Sequence, residues 1–372
     1  MKILHITNTI EEGGVESLLF GLTAAMKQAG HEVAILSLRP GNDSFVQQFE
    51  QKGIPIDSCS KGRKFYSLKK LIKIIRLIRS GQYDVVHVHL FPSQYYGAVS
   101  SLFCNRKNTL IGTTEHGMVN RRRGKRWLRS VERWMYRRFD FVVGVSRTAT
   151  DSLQQWLGEK PLVVTIENGI DLKNCAHTDP QTRHRIRESL CVPVTAKVLI
   201  MVARFYEAKD HDTVIRSMVH LTPNHQLLLV GSGPREQHCK TLAHKLGVSD
   251  RVHFVGHTDR VHDFISAADI GILASHHEGC PMSLVEYMAQ GLPIVGSDIE
   301  SIRLVMEEAG YLFRNGDAVA LAECINSLTT DPVLYAEKSR ISKNRSAAFD
   351  LSLTADKYLQ LYHNTESVCK SK

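Results

Sequence analysis

Asp269-Ile270-Gly271-Ile272-Leu273-Ala274-Ser275-His276-His277-Glu278-Gly279-Cys280-Pro281-Met282-Ser283-Leu284-Val285-Glu286 is the stretch on which the reading of this 372-residue chain turns. Its first six residues form an apolar run of the length of a short buried strand. From Leu284 to Gln290 the apolar residues recur at helical spacing and stop at Gly291. Strand, polar loop and helix in that order put one carboxylate, Glu278, in the loop and another, Glu286, in the first helical turn. In an open parallel sheet the loops at the carboxyl ends of the strands form the ligand crevice. A helix N-terminus there offers free backbone N–H groups and the positive end of a dipole, which suits a phosphate. Ionised carboxylates only accept hydrogen bonds, so two acids beside an anion site call for hydroxyl partners. Phosphate plus hydroxyls describes a nucleotide sugar. A plainer reading stands beside this one. Ser283 and Glu286 have the spacing of a capping box, in which Glu286 bonds back to the Ser283 N–H and touches no ligand, and Glu278 is then a solvated surface acid.

Working outward, strand-like and helix-like segments alternate from the start, the pattern of an α/β doubly wound sheet. In the first half the strands are expected at Ile3–Thr7, Val33–Leu38, Val85–His89, Thr109–Thr113, Phe141–Val145 and Leu162–Ile166. Helices are expected after the glycine-containing loop Glu11–Glu16 to about Gln28, near Ser44–Gln51, at Leu68–Arg79, from Ser93, near Arg126–Arg138 and from Ser146. Asn168-Gly169-Ile170-Asp171 is a turn signal, and the residues from there to Pro180 are polar without a period. A second alternating set runs from Lys197–Val202 through the opening stretch to helices at Ala318–Leu328 and Pro332–Lys343, with a last amphipathic segment at Leu351–Tyr362. The expectation is two Rossmann-like domains in series, 1–168 and 169–345, facing each other across a cleft, and a terminal helix within 346–372 that returns to the first domain.

Composition bounds the function. The chain is 43% hydrophobic and 23% charged, as expected of a soluble globular protein. Met1 to Asn8 leads straight into a strand without the apolar core of a signal peptide, and no run approaches the ~18 apolar residues of a membrane span. The eight cysteines form no C-x-x-C pair, and the 18 histidines show no H-E-x-x-H spacing, so neither a disulfide framework nor a zinc site is signalled and a reducing cytoplasm fits. Residues 1–165 hold 25 Lys and Arg against 13 Asp and Glu, whereas the remainder holds 22 against 25. The first half is therefore expected to meet something anionic.

Four further features carry candidate chemistry. Gly13-Gly14 after the first strand lets backbone approach a ligand, but the full G-x-G-x-x-G and its acidic partner are missing, which argues against a nicotinamide dinucleotide. Gly231-Ser232-Gly233 also falls short of that fingerprint, and no P-loop is present. Arg204 and Lys209 follow the first strand of the second half and could clamp a diphosphate, or could be a solvated pair beside Glu207. His116 follows a strand and so faces the crevice of the first half. In Arg121-Arg122-Arg123-Gly124-Lys125-Arg126-Trp127-Leu128-Arg129, continuing to Arg138, the residues Trp127, Val131, Trp134 and Met135 share a helical face ringed by arginines. Such a helix suits an anionic membrane surface. The alternative is a core-packed apolar face with a solvated basic back, and no nucleic-acid-reading motif is present.

These positions together resemble a family 4 glycosyltransferase of the GT-B fold, over nearly the whole chain. Glu278 and Glu286 match the family's E-x7-E, Arg204 and Lys209 its R-x4-K, Gly13-Gly14-Val15-Glu16 its N-terminal glycine loop, Glu115-His116-Gly117 its Glu-His-Gly step, and Asn168 to Asp171 its interdomain turn. The resemblance implies retaining transfer from a nucleotide sugar, a UDP-sugar by preference, to a glycan or polyprenyl-diphosphate-linked acceptor in surface polysaccharide synthesis, without a metal or other cofactor and with no nucleic acid. It places Glu286 on ribose hydroxyls, Glu278 and Gly279 at the sugar, Arg204 and Lys209 on the leaving diphosphate, backbone N–H groups of Met282 and Ser283 at the phosphate, Gly13, Gly14 and Gly231 along the donor, and His116 at the sugar from the acceptor side. Gly279-Cys280-Pro281 departs from the family's Gly-Phe-Gly, and Leu304 stands where many members carry Glu. A UDP-sugar 2-epimerase on the same fold, or a non-catalytic nucleotide-sugar-binding subunit, are the alternatives. The location implied is cytoplasmic, peripheral on the inner membrane face.

Overall fold

The computed structural model describes residues 1–370 apart from Glu12, Lys61, Arg63, 81–82, 104–108, 118–124, 126 and 177–178. It divides into two units, residues 1–169 with 351–372, and residues 170–350.

The first unit is built on seven parallel strands, β1 (Lys2–Thr7), β2 (Glu32–Ser37), β3 (Ile56–Ser58), β4 (Val85–His89), β5 (Leu110–Glu115), β6 (Phe141–Gly144) and β7 (Val163–Thr165), in the spatial order 3-2-1-4-5-6-7. The second has six, β8 (Lys197–Val202), β9 (His225–Val230), β10 (Val252–Gly256), β11 (Ile270–Leu273), β12 (Ile294–Ser297) and β13 (Gly310–Phe313), in the order 10-9-8-11-12-13. Strand order reverses between β1 and β4 in one sheet and between β8 and β11 in the other. Those reversals are where doubly wound sheets open a crevice beyond the strand ends. The strands are continuous apolar runs rather than alternating ones because helices cover both faces of such a sheet; Val85–His89 and Ile270–Leu273 are buried at every residue.

Local chemistry sets the element ends. Ser146 Oγ accepts from the Ala149 N–H at 3.1 Å and opens the helix Arg147–Leu157, which Gly158 closes at φ 87°. Asp331 caps Pro332–Ser346 through the N–H groups of Val333 and Leu334, with proline at the first helical position. Gly271 is required in β11: a Cβ there would stand 2.3 Å from the Tyr287 ring, whose hydroxyl accepts from the Val202 N–H at 2.6 Å.

Two elements differ from the sequence reading. β3 is a three-residue edge strand, too short to show a period. The stretch between Pro180 and the second sheet, for which the sequence reading gave no element, contains the helix Pro180–Ser189, capped by Asp179. Ion pairs rather than an apolar stripe anchor this helix: Arg183 and Arg187 hold the two oxygens of Asp269 at 2.6 and 2.8 Å. The Asp-Pro step was its only local signal. The last helix, Leu351–Lys370, belongs to the first unit, where Leu351 fills the space above Gly21 and Tyr358 and Tyr362 are fully buried.

Candidate active site

In the second unit, the loops after β8 and β11 flank the strand reversal and carry the acids and bases singled out above. They are stitched together by the His276 N–H, which donates to the Ala208 carbonyl at 2.9 Å. Lys209 ends a single 3-10 turn, Glu207–Lys209, and Asp210 follows in the left-handed region at φ 45°, turning the chain into the helix His211–Ser217. That turn aims the Lys209 ammonium at Glu278, with which it forms an ion pair. Glu278 is 9% exposed, and its Oε1 also accepts from Ser275 Oγ at 2.5 Å. The Ser275 carbonyl in turn accepts from Ser297 Oγ at 2.6 Å, at the end of β12. Both contacts fall on Oε1, which leaves Oε2 without a partner among the described residues. The solvated-acid reading of Glu278 is thereby overturned, as is the pairing of the cations with Glu207. Arg204 stays exposed, its guanidinium 5.3 Å from the Tyr206 ring centroid, with no carboxylate partner among the described residues.

The helix after the loop spans Met282–Ala289, and Pro281 precedes it without a side-chain cap. Ser283 is therefore its second residue, and the capping box does not form. Glu286 lies one turn further along than expected. It is half-buried, its side chain makes no hydrogen bond or ion pair among the described residues, and burial pushes its carboxyl up to about 7. An acid kept desolvated without a protein partner is a ligand-site signature. Of the two backbone groups expected at a phosphate, the Met282 N–H is engaged by the Cys280 carbonyl at 2.9 Å. Gly279 is half-buried beside Glu278. Gly231 needs no ligand to explain it: its φ is +137° and a Cβ would sit 2.3 Å from the Ala203 carbonyl oxygen, so it is glycine because two loops touch there.

In the first unit, the helix Gly14–Gln28 starts directly after Gly13, whose backbone is extended. A Cβ on Gly14 would meet nothing within 4 Å, so the loop faces open space. His116 follows β5 and is half-buried; before it, Glu115 accepts from the Tyr136 hydroxyl at 2.5 Å. Beneath His116 lies a group the sequence reading missed. His89 Nδ1 stands 3.2 Å from His116 Nε2, and His5 Nδ1 stands 2.9 Å from His89 Nε2. Beside them His87 is bonded through Nδ1 to the Tyr362 hydroxyl at 2.6 Å and through Nε2 to Thr114 Oγ1 at 2.8 Å. Desolvation holds all four imidazoles below their ordinary range, His5 at about 3 and His116 at about 4. The available signal was His-Val-His at alternate positions of a strand beside the reversal point.

The basic segment is only partly described: Arg121, Arg122, Arg123 and Arg126 lie outside the described residues. Lys125 is exposed. The helix itself is Leu128–Tyr136, and it corrects two expectations. Met135 is fully buried, at the edge of the face whose Trp127, Val131 and Trp134 stay exposed at 70, 39 and 38%. Arg129 is not free for a surface, because its guanidinium donates to the Trp156 carbonyl at 2.7 Å and the Gln155 carbonyl at 3.1 Å.

Comparison with known proteins places this architecture. HepE from Anabaena, in complex with UDP, superposes with a TM-score of 0.86 at 20% identity, covering 98% of this chain and 100% of that one. Sucrose-phosphate synthase from Thermosynechococcus elongatus does so at 0.80 with 21% identity, over 99% of this chain and 100% of that one. These likenesses define the class as GT-B. The family model "Glycosyl transferases group 1" matches residues 182–347 and the model "Glycosyltransferase Family 4" residues 12–174. The lipopolysaccharide core biosynthesis glycosyltransferase LpsD of Rhizobium meliloti (strain 1021) is 32% identical over 371 residues, 97% of this chain and 98% of that protein. The chain belongs to this family of glycosyltransferases.

Proposed function

We propose that the protein transfers a hexose or N-acetylhexosamine, with retention, from a UDP-sugar to a glycan or polyprenyl-diphosphate-linked acceptor in surface polysaccharide synthesis. The observation that carries the donor assignment is Glu286, desolvated and without a side-chain partner among the described residues, on the helix that follows the loop of the Lys209–Glu278 pair. In this reading Glu286 accepts from ribose hydroxyls, and Glu278 Oε2 accepts from a hydroxyl of the transferred sugar. Arg204, the remaining N–H bonds of Lys209 and the Ser283 N–H stabilise charge developing on the departing diphosphate, and fixed donors aimed at that charge lower the barrier most. The reaction in this reading needs no metal, so turnover persists in EDTA. HepE was crystallised with UDP and with UDP-glucose, and LpsD is named for lipopolysaccharide core synthesis, which supports both the donor and the pathway class. Thermal melts with UDP-, GDP- and ADP-sugars test the donor. Only the UDP series should raise the melting point, and Glu286→Ala should abolish the rise. No response of the wild type to any series would sink the proposal.

The acceptor side rests on Trp127, Val131 and Trp134, exposed beside Arg133, Arg137 and Arg138. No helix among the described residues is long and apolar enough to cross a membrane. An aromatic stripe with basic flanks suits the surface of an anionic bilayer, at about 1 kcal/mol for each cation near it. The protein should float with phosphatidylglycerol vesicles at low salt, and Trp127→Ser/Trp134→Ser should not. Equal flotation of the two would refute a membrane role for this helix.

A further inference from the structure

The loop that carries Lys209 is closed at both ends. Phe205 and His211 are buried, and their rings stack 4.2 Å apart at 17°. The Phe205 N–H donates to the Ser232 carbonyl at 3.0 Å, and its carbonyl accepts from the Arg235 N–H at 3.1 Å. Between these fixed ends run the 3-10 turn Glu207–Lys209 and then Asp210, whose backbone is left-handed at φ 45°, ψ 49°. Residues with a Cβ rarely take that conformation, and aspartate is among the few that tolerate it. With Asp210 right-handed, the turn would run on into the helix His211–Ser217 as one spiral, and Lys209 would leave it in another direction. The Asp210 side chain holds the left-handed state. Its Oδ1 accepts from the Thr213 N–H at 3.3 Å and its Oδ2 from Thr213 Oγ1 at 2.7 Å. Oδ2 also lies 3.9 Å from His276 Nε2, in the loop that carries Glu278. Backbone in so sparse a region persists only where its surroundings over-determine it, and such residues gather at functional sites.

We propose that Asp210 is a positioning residue for diphosphate recognition: by holding the left-handed turn through Thr213, it presents the Lys209 ammonium to the terminal phosphate of the nucleotide as well as to Glu278. This role rests on the reading of Lys209 as a diphosphate ligand. Asp210 is itself an anion and has no attraction for a phosphate, so its effect runs through the backbone and Lys209. An ammonium has three N–H donors. Glu278 Oε1 takes one of them, and two remain for a phosphate as long as the turn keeps the ammonium in place. Glycine would take the same φ freely and leave it as freely. The carboxylate supplies what glycine lacks, two bonds to one buried threonine that fix the turn.

Equilibrium titration of the full chain with UDP and with UMP isolates the terminal phosphate as the ratio of the two dissociation constants. Asp210→Ala has neither a tolerance for this backbone nor an acceptor for Thr213, whereas Asp210→Asn keeps both. Asp210→Ala should lower the preference for UDP over UMP about tenfold, the order of one hydrogen bond to a charged group, with the affinity for UMP within about twofold of wild type. Asp210→Asn should keep the preference within about twofold. Lys209→Met should lose the preference, and adding Asp210→Ala to it should lower it no further, because the two act as one unit. A helix cap with no part in recognition would lower the melting point of Asp210→Ala and leave its preference intact. That result, losses that add in the double variant, or Asp210→Asn as impaired as Asp210→Ala would overturn the proposal. Lys209→Met separates the two layers. If the wild type has no preference for UDP, or Lys209→Met keeps it, the reading of Lys209 as a diphosphate ligand fails and the positioning role falls with it. If Lys209→Met loses the preference while Asp210→Ala keeps it, the positioning role alone is refuted.

Discussion

Glu286→Gln is the substitution whose outcome the structure specifies most fully. Burial without a partner moves the Glu286 carboxyl from an ordinary 4.5 to about 7. Below pH 4.5 the folded and unfolded chains both hold the proton, and the side chain costs the fold nothing. Between 4.5 and about 7 the unfolded chain ionises first while the folded protein keeps its proton, so stability falls as pH rises. Above about 7 the cost is complete. At about 1.4 kcal/mol for each tenfold in proton affinity, the ceiling is about 3 kcal/mol. Water reaching the half-buried group reduces that to about 1–2 kcal/mol. Glutamine has the shape of the protonated acid and cannot ionise. Urea unfolding should therefore show Glu286→Gln more stable than wild type by about 1–2 kcal/mol at pH 8 and equal to it near pH 4.5, while binding UDP-sugar more weakly. A variant equal to or less stable than wild type at pH 8, or an advantage that does not shrink on acidification, would refute the argument that this acid is held at a cost for a ligand.

Other positions give sharper losses. Lys209→Met leaves Glu278 buried without its cation and should cost about 3 kcal/mol in urea unfolding, most of it recovered in the Lys209→Met/Glu278→Gln double variant. Gly231→Ala must place a Cβ 2.3 Å from the Ala203 carbonyl oxygen at a φ of +137°, so its melting point should fall by several degrees, whereas Gly14→Ala, facing open space, should leave it unchanged. Tyr362→Phe strips His87 Nδ1 of its 2.6 Å partner and should destabilise the first unit by about 1–3 kcal/mol, measured by denaturant unfolding. Arg129→Ala should lower stability without altering vesicle flotation, because its donors serve the Gln155 and Trp156 carbonyls.

Much of the fold was legible because the signals that set it are local. Apolar runs such as Ile270–Leu273 could only be strands buried on both faces, and Leu68–Arg79 shows its helical period so plainly that its bounds match residue for residue. The order of strand, loop and helix placed Glu278, Arg204 and Lys209 at strand ends before any contact was known. The helix Pro180–Ser189 escaped because its anchor is Asp269, more than eighty residues away, and not a stripe of its own. The same holds for the site. That Lys209 pairs with Glu278 rather than Glu207 follows from β8 lying beside β11, a neighbour 69 residues distant. His5 meets His89 across 84 residues, and Tyr362 meets His87 across 275, because one sheet reverses its order between β1 and β4 and the last helix returns to cover it. Sequence by itself determined most of the strands and helices and which loops carry charge, since hydrophobic period and turn chemistry act within a few residues. Which acid is paired, which is left desolvated and which histidine backs another were decided by the tertiary structure alone, because burial and hydrogen-bond partners depend on what the sheet order brings side by side.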